Sequence, residues 1–193
     1  RHFATMLTAL VCSLRGSVCI YQGEELGLTE ASIPYECLQD PYGIAFWPNF
    51  KGRDGCRTPM PWTSDELAGF TSGTPWLPIP ADHRKLSVAV QEANPQSQLH
   101  AFRSFMKWRK AQRVLFEGDI RFIDVHDSLL VFTRSLPRQT MLIAFNLSPN
   151  EVRARIPGGE GLTPVEVPGL VLGRLQDREL QLPGYGAVFA SMS

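Results

Sequence analysis

The sequence predicts an α/β segment followed by a small all-β domain, and three observations predict it. An apolar stripe at helical period opens the chain and leads, past Gly16, into the short apolar run Val18 to Tyr21. From Gln22 to about Asp82 both helical and strand periods vanish, and Pro, Gly, Trp and Tyr recur. After Gly118 the chain becomes a series of short apolar or alternating runs separated by Gly, Pro, Asn and Asp, the pattern of an antiparallel β-sandwich. The boundary is placed near Glu117, giving segments 1–117 and 118–193.

Each element has its own warrant. Phe3, Met6, Leu7, Leu10, Val11 and Leu14 fall on one stripe at the 3.6-residue period, which predicts a helix over 2–15 with Gly16 as its stop. The run Val18–Tyr21 reads as a strand covered on both faces, and a helix joined to it by so short a link is an αβ connection of a parallel sheet. A structureless span as long as 22–82 is expected only where the loop is functional. It leaves the C-terminal end of a parallel strand, where barrel enzymes build their sites. Helical pattern returns at 84–93 and again after Asn94-Pro95, with Asn as cap and Pro at the first helical position.

Leu99, Phe102, Phe105, Met106 and Trp108 give that last helix an apolar side. Lys107, Arg109, Lys110 and Arg113 load its later half and read as a solvated face suited to the dipole rather than as a nucleic-acid contact. Strands are expected at 120–124, 129–133, 141–146, 152–156, 165–167 and 187–190.

Composition limits the partners. Lys+Arg and Asp+Glu both total 19, so no net field draws the chain to nucleic acid or anionic lipid. No apolar run is long enough to span a membrane. Cys12, Cys19, Cys37 and Cys56 lack metal or redox spacing, and no metal or other cofactor is expected. Cys12 and Cys19 are read as small buried hydrophobes, whereas Cys37 and Cys56 share the long loop and are the pair able to bridge. The chain opens within a helical pattern, so any targeting signal is expected upstream of Arg1.

Two stretches carry the chemistry. Gly52-Arg53-Asp54-Gly55-Cys56-Arg57-Thr58-Pro59-Met60-Pro61-Trp62 crowds two guanidiniums and a carboxylate into a loop stiffened by two prolines. Gly16-Ser17-Val18-Cys19-Ile20-Tyr21-Gln22-Gly23-Glu24-Glu25-Leu26-Gly27-Leu28 precedes it. Together they resemble the last barrel strand and following loop of the α-amylase superfamily (glycoside hydrolase family 13), in the α-glucosidase and oligo-1,6-glucosidase branch. Pro34-Tyr35-Glu36 and Leu38-Gln39-Asp40-Pro41-Tyr42-Gly43 are similar to the bacterial α-glucosidases in particular.

The resemblance implies the last part of a (β/α)8 TIM barrel: helix 7 at Arg1–Arg15, strand 8 at Ser17–Tyr21, the long loop, and the helix 8 region. A C-terminal antiparallel β-sandwich would follow. The nucleophilic Asp, the acid/base Glu and a further Asp would lie outside this chain, so none of its residues is assigned a catalytic role. The implied reaction is retaining hydrolysis of α-glucosidic bonds from the non-reducing end of short oligosaccharides. Expected partners are an α-gluco-oligosaccharide and the N-terminal part of the barrel, with no nucleic acid and no membrane, in a cytoplasmic setting.

By family position Arg53 would pair with an upstream Asp and clamp the non-reducing glucose hydroxyls; the alternative is a structural ion pair. Glu30 would line the acceptor subsite, or be an exposed loop residue. Glu24, Glu25 and Arg57 are expected as scaffold ion pairs. Tyr35, Tyr42, Phe46, Trp47, Trp62 and Trp76 are expected mainly to pack in the loop core, with sugar stacking as the alternative. Functional alternatives are a glucosyltransferase or sucrose isomerase of the same family, or a non-catalytic transporter heavy subunit.

Overall fold

The computed structural model describes residues 2–158 and 161–192. Arg1, where the expected first helix begins, lies outside them. The chain divides into two compact units, residues 1–19 with 101–193, and residues 20–100.

The first unit is built on two antiparallel sheets. One runs in the order β1-β2-β3-β8-β5, from β1 (Asp119–Ile123), β2 (Leu129–Leu136), β3 (Gln139–Asn146), β8 (Ala187–Met192) and β5 (Thr163–Pro164). The other runs β4-β7-β6, from β4 (Val152–Arg155), β7 (Glu179–Leu182) and β6 (Arg174–Gln176). β2 and β3 form a tight hairpin in which Leu136 faces Gln139. β6 and β7 are joined at Asp177 and Arg178, both at positive φ (48° and 71°), the backbone pair that a right-twisted two-residue hairpin needs.

Two layers of apolar side chains cover the larger sheet. Leu129, Val131, Leu142, Ala144 and Val188 meet Val152, Ile156, Leu180 and Leu182 of the smaller sheet. On the other face Phe132, Phe145 and Phe189 stack in series, with Phe189 against Phe105 and Trp108 of α5 (Gln98–Lys110) at centroid distances of 6.5 and 5.3 Å. With both faces covered, Met141 to Asn146 are all buried, so β3 reads in sequence as a continuous apolar run rather than an alternation.

α1 (His2–Ser13) packs on this unit through Thr5, Met6, Ala9, Cys12 and Ser13. The expected stripe is displaced: Phe3, Leu7 and Val11 are exposed. Small side chains let the helix backbone come close, and apolar period alone does not choose between two apolar arcs. Its C-terminal carbonyls are held by buried guanidiniums. Arg109 Nε donates to Cys12 O at 2.6 Å, and its head lies 4.3 Å from the Phe116 ring. Arg134 Nη1 donates to Ser13 O and Leu14 O, while Nε and Nη2 both donate to Gly118 O. Arg109, expected on a solvated face, is therefore a buried cap.

Other expectations are corrected. Ser17–Tyr21 forms no strand, because no strand among the described residues pairs with it and a ladder needs a neighbour; Cys19 is exposed there. Val165–Val167 is not a strand, although Val165 N–H donates to Phe189 O beside β5. β6, β7 and α6 (Val114–Glu117) were not expected. All four cysteines are free; for Cys37 and Cys56 a bridge is only the lesser alternative, and the unbridged reading stands.

In the second unit, residues 22–82 are not structureless. They hold single 3₁₀ turns at Glu24–Leu26, Tyr35–Cys37 and Asp54–Cys56, and the short helix α2 (Pro41–Ala45). The helix expected over 84–93 is two pieces, α3 (Ala81–Lys85) and α4 (Val88–Glu92). α5 starts at Gln98 with Ser97 Oγ accepting His100 N–H; Asn94 instead closes a turn onto Gln96 N–H. Two aliphatic clusters hold the unit, one of Leu26, Met60 and Leu99, the other of Ile33, Leu38 and Leu77.

Candidate functional site

The Arg53–Thr58 segment rests on two buried carboxylates. Asp54 Oδ2 accepts the backbone N–H groups of Gln39 and Asp40 at 2.6 and 2.8 Å. Asp40 returns the favour, with Oδ1 accepting Tyr42 N–H and Oδ2 accepting Arg53 N–H at 3.0 and 2.9 Å. The first of these caps α2, whose first residue is Pro41. The Arg53 N–H bond above all, then burial working the other way, then Tyr42 and Arg57, leave the Asp40 carboxyl below its ordinary pKa. Arg57 Nη1 lies 3.6 Å from Asp40 Oδ2 and 3.9 Å from Asp54 Oδ1, so one guanidinium serves both carboxylates.

Two glycines let these strands of loop approach. Gly52 sits at φ 75°, and a Cβ there would meet the Asp40 carboxylate at 2.9 Å. A Cβ on Gly55 would collide with Ala31 O and come within 2.7 Å of Glu30 Cγ.

Around this frame lie three openings. Arg53, exposed, lines one of about 580 Å³ with Asp40, Pro41, Tyr42, Phe50 and Arg57. Glu30 lines a smaller one of about 210 Å³ with Gln22, Glu24, Thr29, Cys56, Thr58, His83 and others. Phe70 and Trp76 line a third of about 530 Å³, with Tyr21, Gln22, Arg57, Thr58 and Pro59. The two candidate substrate residues thus face different openings.

Among the described residues the Arg53 side chain enters no ion pair. Arg57 is the scaffold residue expected, paired with Asp40 and Asp54. Glu24 and Glu25 are not its partners: Glu24 is exposed, and Glu25 Oε2 accepts the nearby Gly23 N–H at 2.8 Å. The expected aromatic loop core is also absent. Tyr35, Tyr42, Phe46, Trp47, Trp62 and Trp76 are 36–68% exposed, because aliphatic side chains fill both clusters.

Two polar residues of the site, His83 and Gln91, had no sequence signal. His83 is 4% exposed, with Nε2 2.8 Å from Thr29 O and Nδ1 3.2 Å from Thr58 Oγ1. Gln91 Nε2 donates to Leu26 O and Leu86 O, and its Oε1 accepts Leu99 N–H. Asp40 did carry a signal, the Asp-Pro pair of a helix start. Among the described residues no cluster of three or more His, Cys, Asp or Glu could hold a metal ion. No helix there is long and apolar enough to cross a membrane.

A helical and loop segment is followed in the chain by an antiparallel two-sheet domain, with an Arg-Asp-x-x-Arg turn held on buried carboxylates. The chain belongs to the α-amylase family. Residues 1–118 match the α-amylase catalytic domain, and residues 120–189 match the maltogenic amylase C-terminal domain. It is the helical portion of that catalytic domain followed by the antiparallel C-terminal domain. A "probable alpha-glucosidase" of Rhizobium meliloti (strain 1021) is 50% identical over 190 residues, 98% of this chain and 34% of that protein. An "oligo-1,6-glucosidase" of Parageobacillus thermoglucosidasius is 30% identical, over 80% of this chain and 31% of its own length. The crystal structure of an alpha-glucosyl transfer enzyme, XgtA, superposes with TM-score 0.96 and 52% identity, covering 100% of this chain and 36% of that one. The chain spans about a third of the length of the curated relatives it matches.

Proposed function

We propose that the complete protein carrying this chain is a retaining α-glucosidase acting at the non-reducing end of short gluco-oligosaccharides. In that reading residues 1–117 are the last part of its catalytic barrel and residues 118–193 a C-terminal β domain. One carboxylate attacks the anomeric carbon while a second protonates the leaving oxygen, the pair being ~5–5.5 Å apart. Both would come from outside this chain, so the 193 residues alone are expected to turn over no glucoside.

What this chain supplies is positioning. The observation that carries the proposal is the Arg53 backbone fixed by Asp40 while its guanidinium stays exposed and outside any ion pair among the described residues. A planar fork on a rigid base is suited to clamping vicinal sugar hydroxyls. Glu30 is assigned to the acceptor side. The likeness to XgtA favours glucosyl transfer as the second reading. There a sugar hydroxyl replaces water as the group that resolves the covalent glucosyl intermediate.

Incubating the complete protein with maltose and isomaltose separates the two. Two glucose per disaccharide consumed, the newly cleaved one first as the α-anomer and no trisaccharide, is the hydrolase outcome; one glucose released for each trisaccharide formed is the transferase outcome. No consumption of either sugar overturns both. Glu30→Asn is expected to change the ratio of α-1,4 to α-1,6 turnover more than total turnover; an equal loss on both linkages would remove Glu30 from the acceptor site.

A further inference from the structure

We propose that His83 is a positioning residue for Glu30, and so sets acceptor and linkage preference without touching the sugar; this rests on the α-glucosidase reading above. Glu30 is held on both sides through its neighbours' backbone. On one side Thr29 C=O accepts from His83 Nε2 at 2.8 Å. On the other, Ala31 N–H donates to Gly55 O at 2.9 Å. Gly55 permits this close approach, since a Cβ there would come within 2.7 Å of Glu30 Cγ. The carboxylate therefore has one backbone frame, and His83 supplies the half of it not given by the Arg53–Thr58 segment.

The tautomer follows from the partners. A carbonyl can only accept, so Nε2 carries the proton, and in the neutral ring Nδ1 accepts from the Thr58 hydroxyl at 3.2 Å. His83 thereby joins the turn before Glu30 to the segment after Arg57. The donor side of this bond is buried, since His83 is 4% exposed, so the ring is held in place to present Nε2 to the Thr29 carbonyl. A histidine is needed rather than any apolar residue of the same size: Phe fills the volume but offers no donor.

The test uses the complete protein, with His83→Phe, His83→Gln, Glu30→Asn and the His83→Phe/Glu30→Asn pair. His83→Phe is expected to shift the α-1,4 to α-1,6 ratio by about three- to tenfold, the size of one hydrogen bond expressed as a rate ratio. Because both act through one group, the double variant is expected to match Glu30→Asn rather than add to it. His83→Gln, which restores a donor, should recover part of the ratio. Hydrogen exchange at the Ala31 amide gives a readout free of substrate, and is expected to quicken about tenfold in His83→Phe while amides of the β domain keep their rates. A ratio unchanged in His83→Phe, or additive effects in the double variant, overturns the proposal. So does unchanged Ala31 exchange. A wild-type protein that consumes no glucoside overturns the parent reading instead, and leaves the exchange result to decide whether His83 pins this turn.

Discussion

A carboxylate that accepts two backbone amides is a structural part first and a charge second. Asp40 has this role under Arg53, and the sign of its shift fixes a pH dependence. Its folded pKa is lowered from 3.8, chiefly by the Arg53 N–H. The stabilisation is therefore fully present above that ordinary value and is lost as pH falls through the lowered one. Asp40→Asn is expected to flatten this acid limb, read as the pH dependence of amide exchange around residues 40–57; an unchanged limb would assign it to another group. Arg53→Lys keeps the charge but loses the fork, so kcat/KM in the complete protein should fall about tenfold or more while Tm barely moves. Arg57→Lys is expected to do the reverse. At this scale the sequence named Arg53 and Glu30 because a long motif carried them. It could not name His83: a single histidine in a Pro-rich stretch has no period, and its two partners, Thr29 and Thr58, lie far off along the chain.

Arg134 makes the strongest claim on an element. Its four hydrogen bonds join the end of α1 to the turn before β1, and it is fully buried with no carboxylate paired to it among the described residues. Burial first, then Arg109 and Arg15, disfavour its charge. The end of a helix, with its partial negative charge, is what compensates it. Arg134→Met strands several buried carbonyls and should cost about 3 kcal/mol or more in thermal or urea unfolding. A loss below about 1 kcal/mol would show that water replaces the guanidinium.

Elements were legible where covering was local. β2, β3 and β8 showed as apolar runs because both faces of their sheet are buried. α1 was legible as a helix but not by face, since small residues rather than large ones make the contact. β7 hid behind an Asp-Arg hairpin with no glycine to mark the turn. Ser17–Tyr21 has a strand's composition, but composition does not supply the neighbour to which a strand must bond.

Taken whole, the chain concentrates its apolar burial unevenly. Among the described residues, nine buried side chains form the core between the two sheets, against three in each of two clusters within residues 20–100. Limited trypsin digestion of the 193-residue chain should therefore cut first near the exposed Lys51 and Arg53, leaving residues 118–193 intact. Early cuts at Arg134 or Arg138 would invert that order.

The bond from Arg134 to Ser13 spans 121 positions of sequence, and synthesis gives that span a duration. At about 5–20 residues per second, α1 leaves the ribosome roughly 6–24 s before its binding partner exists. For that interval the carbonyls of Ser13 and Leu14 lack the Arg134 donor, and the end of α1 has one fewer fixed partner. The opening element of this chain is thus obliged to wait for its last domain, and slowing translation between the two lengthens the time in which it is open to chaperones and proteases.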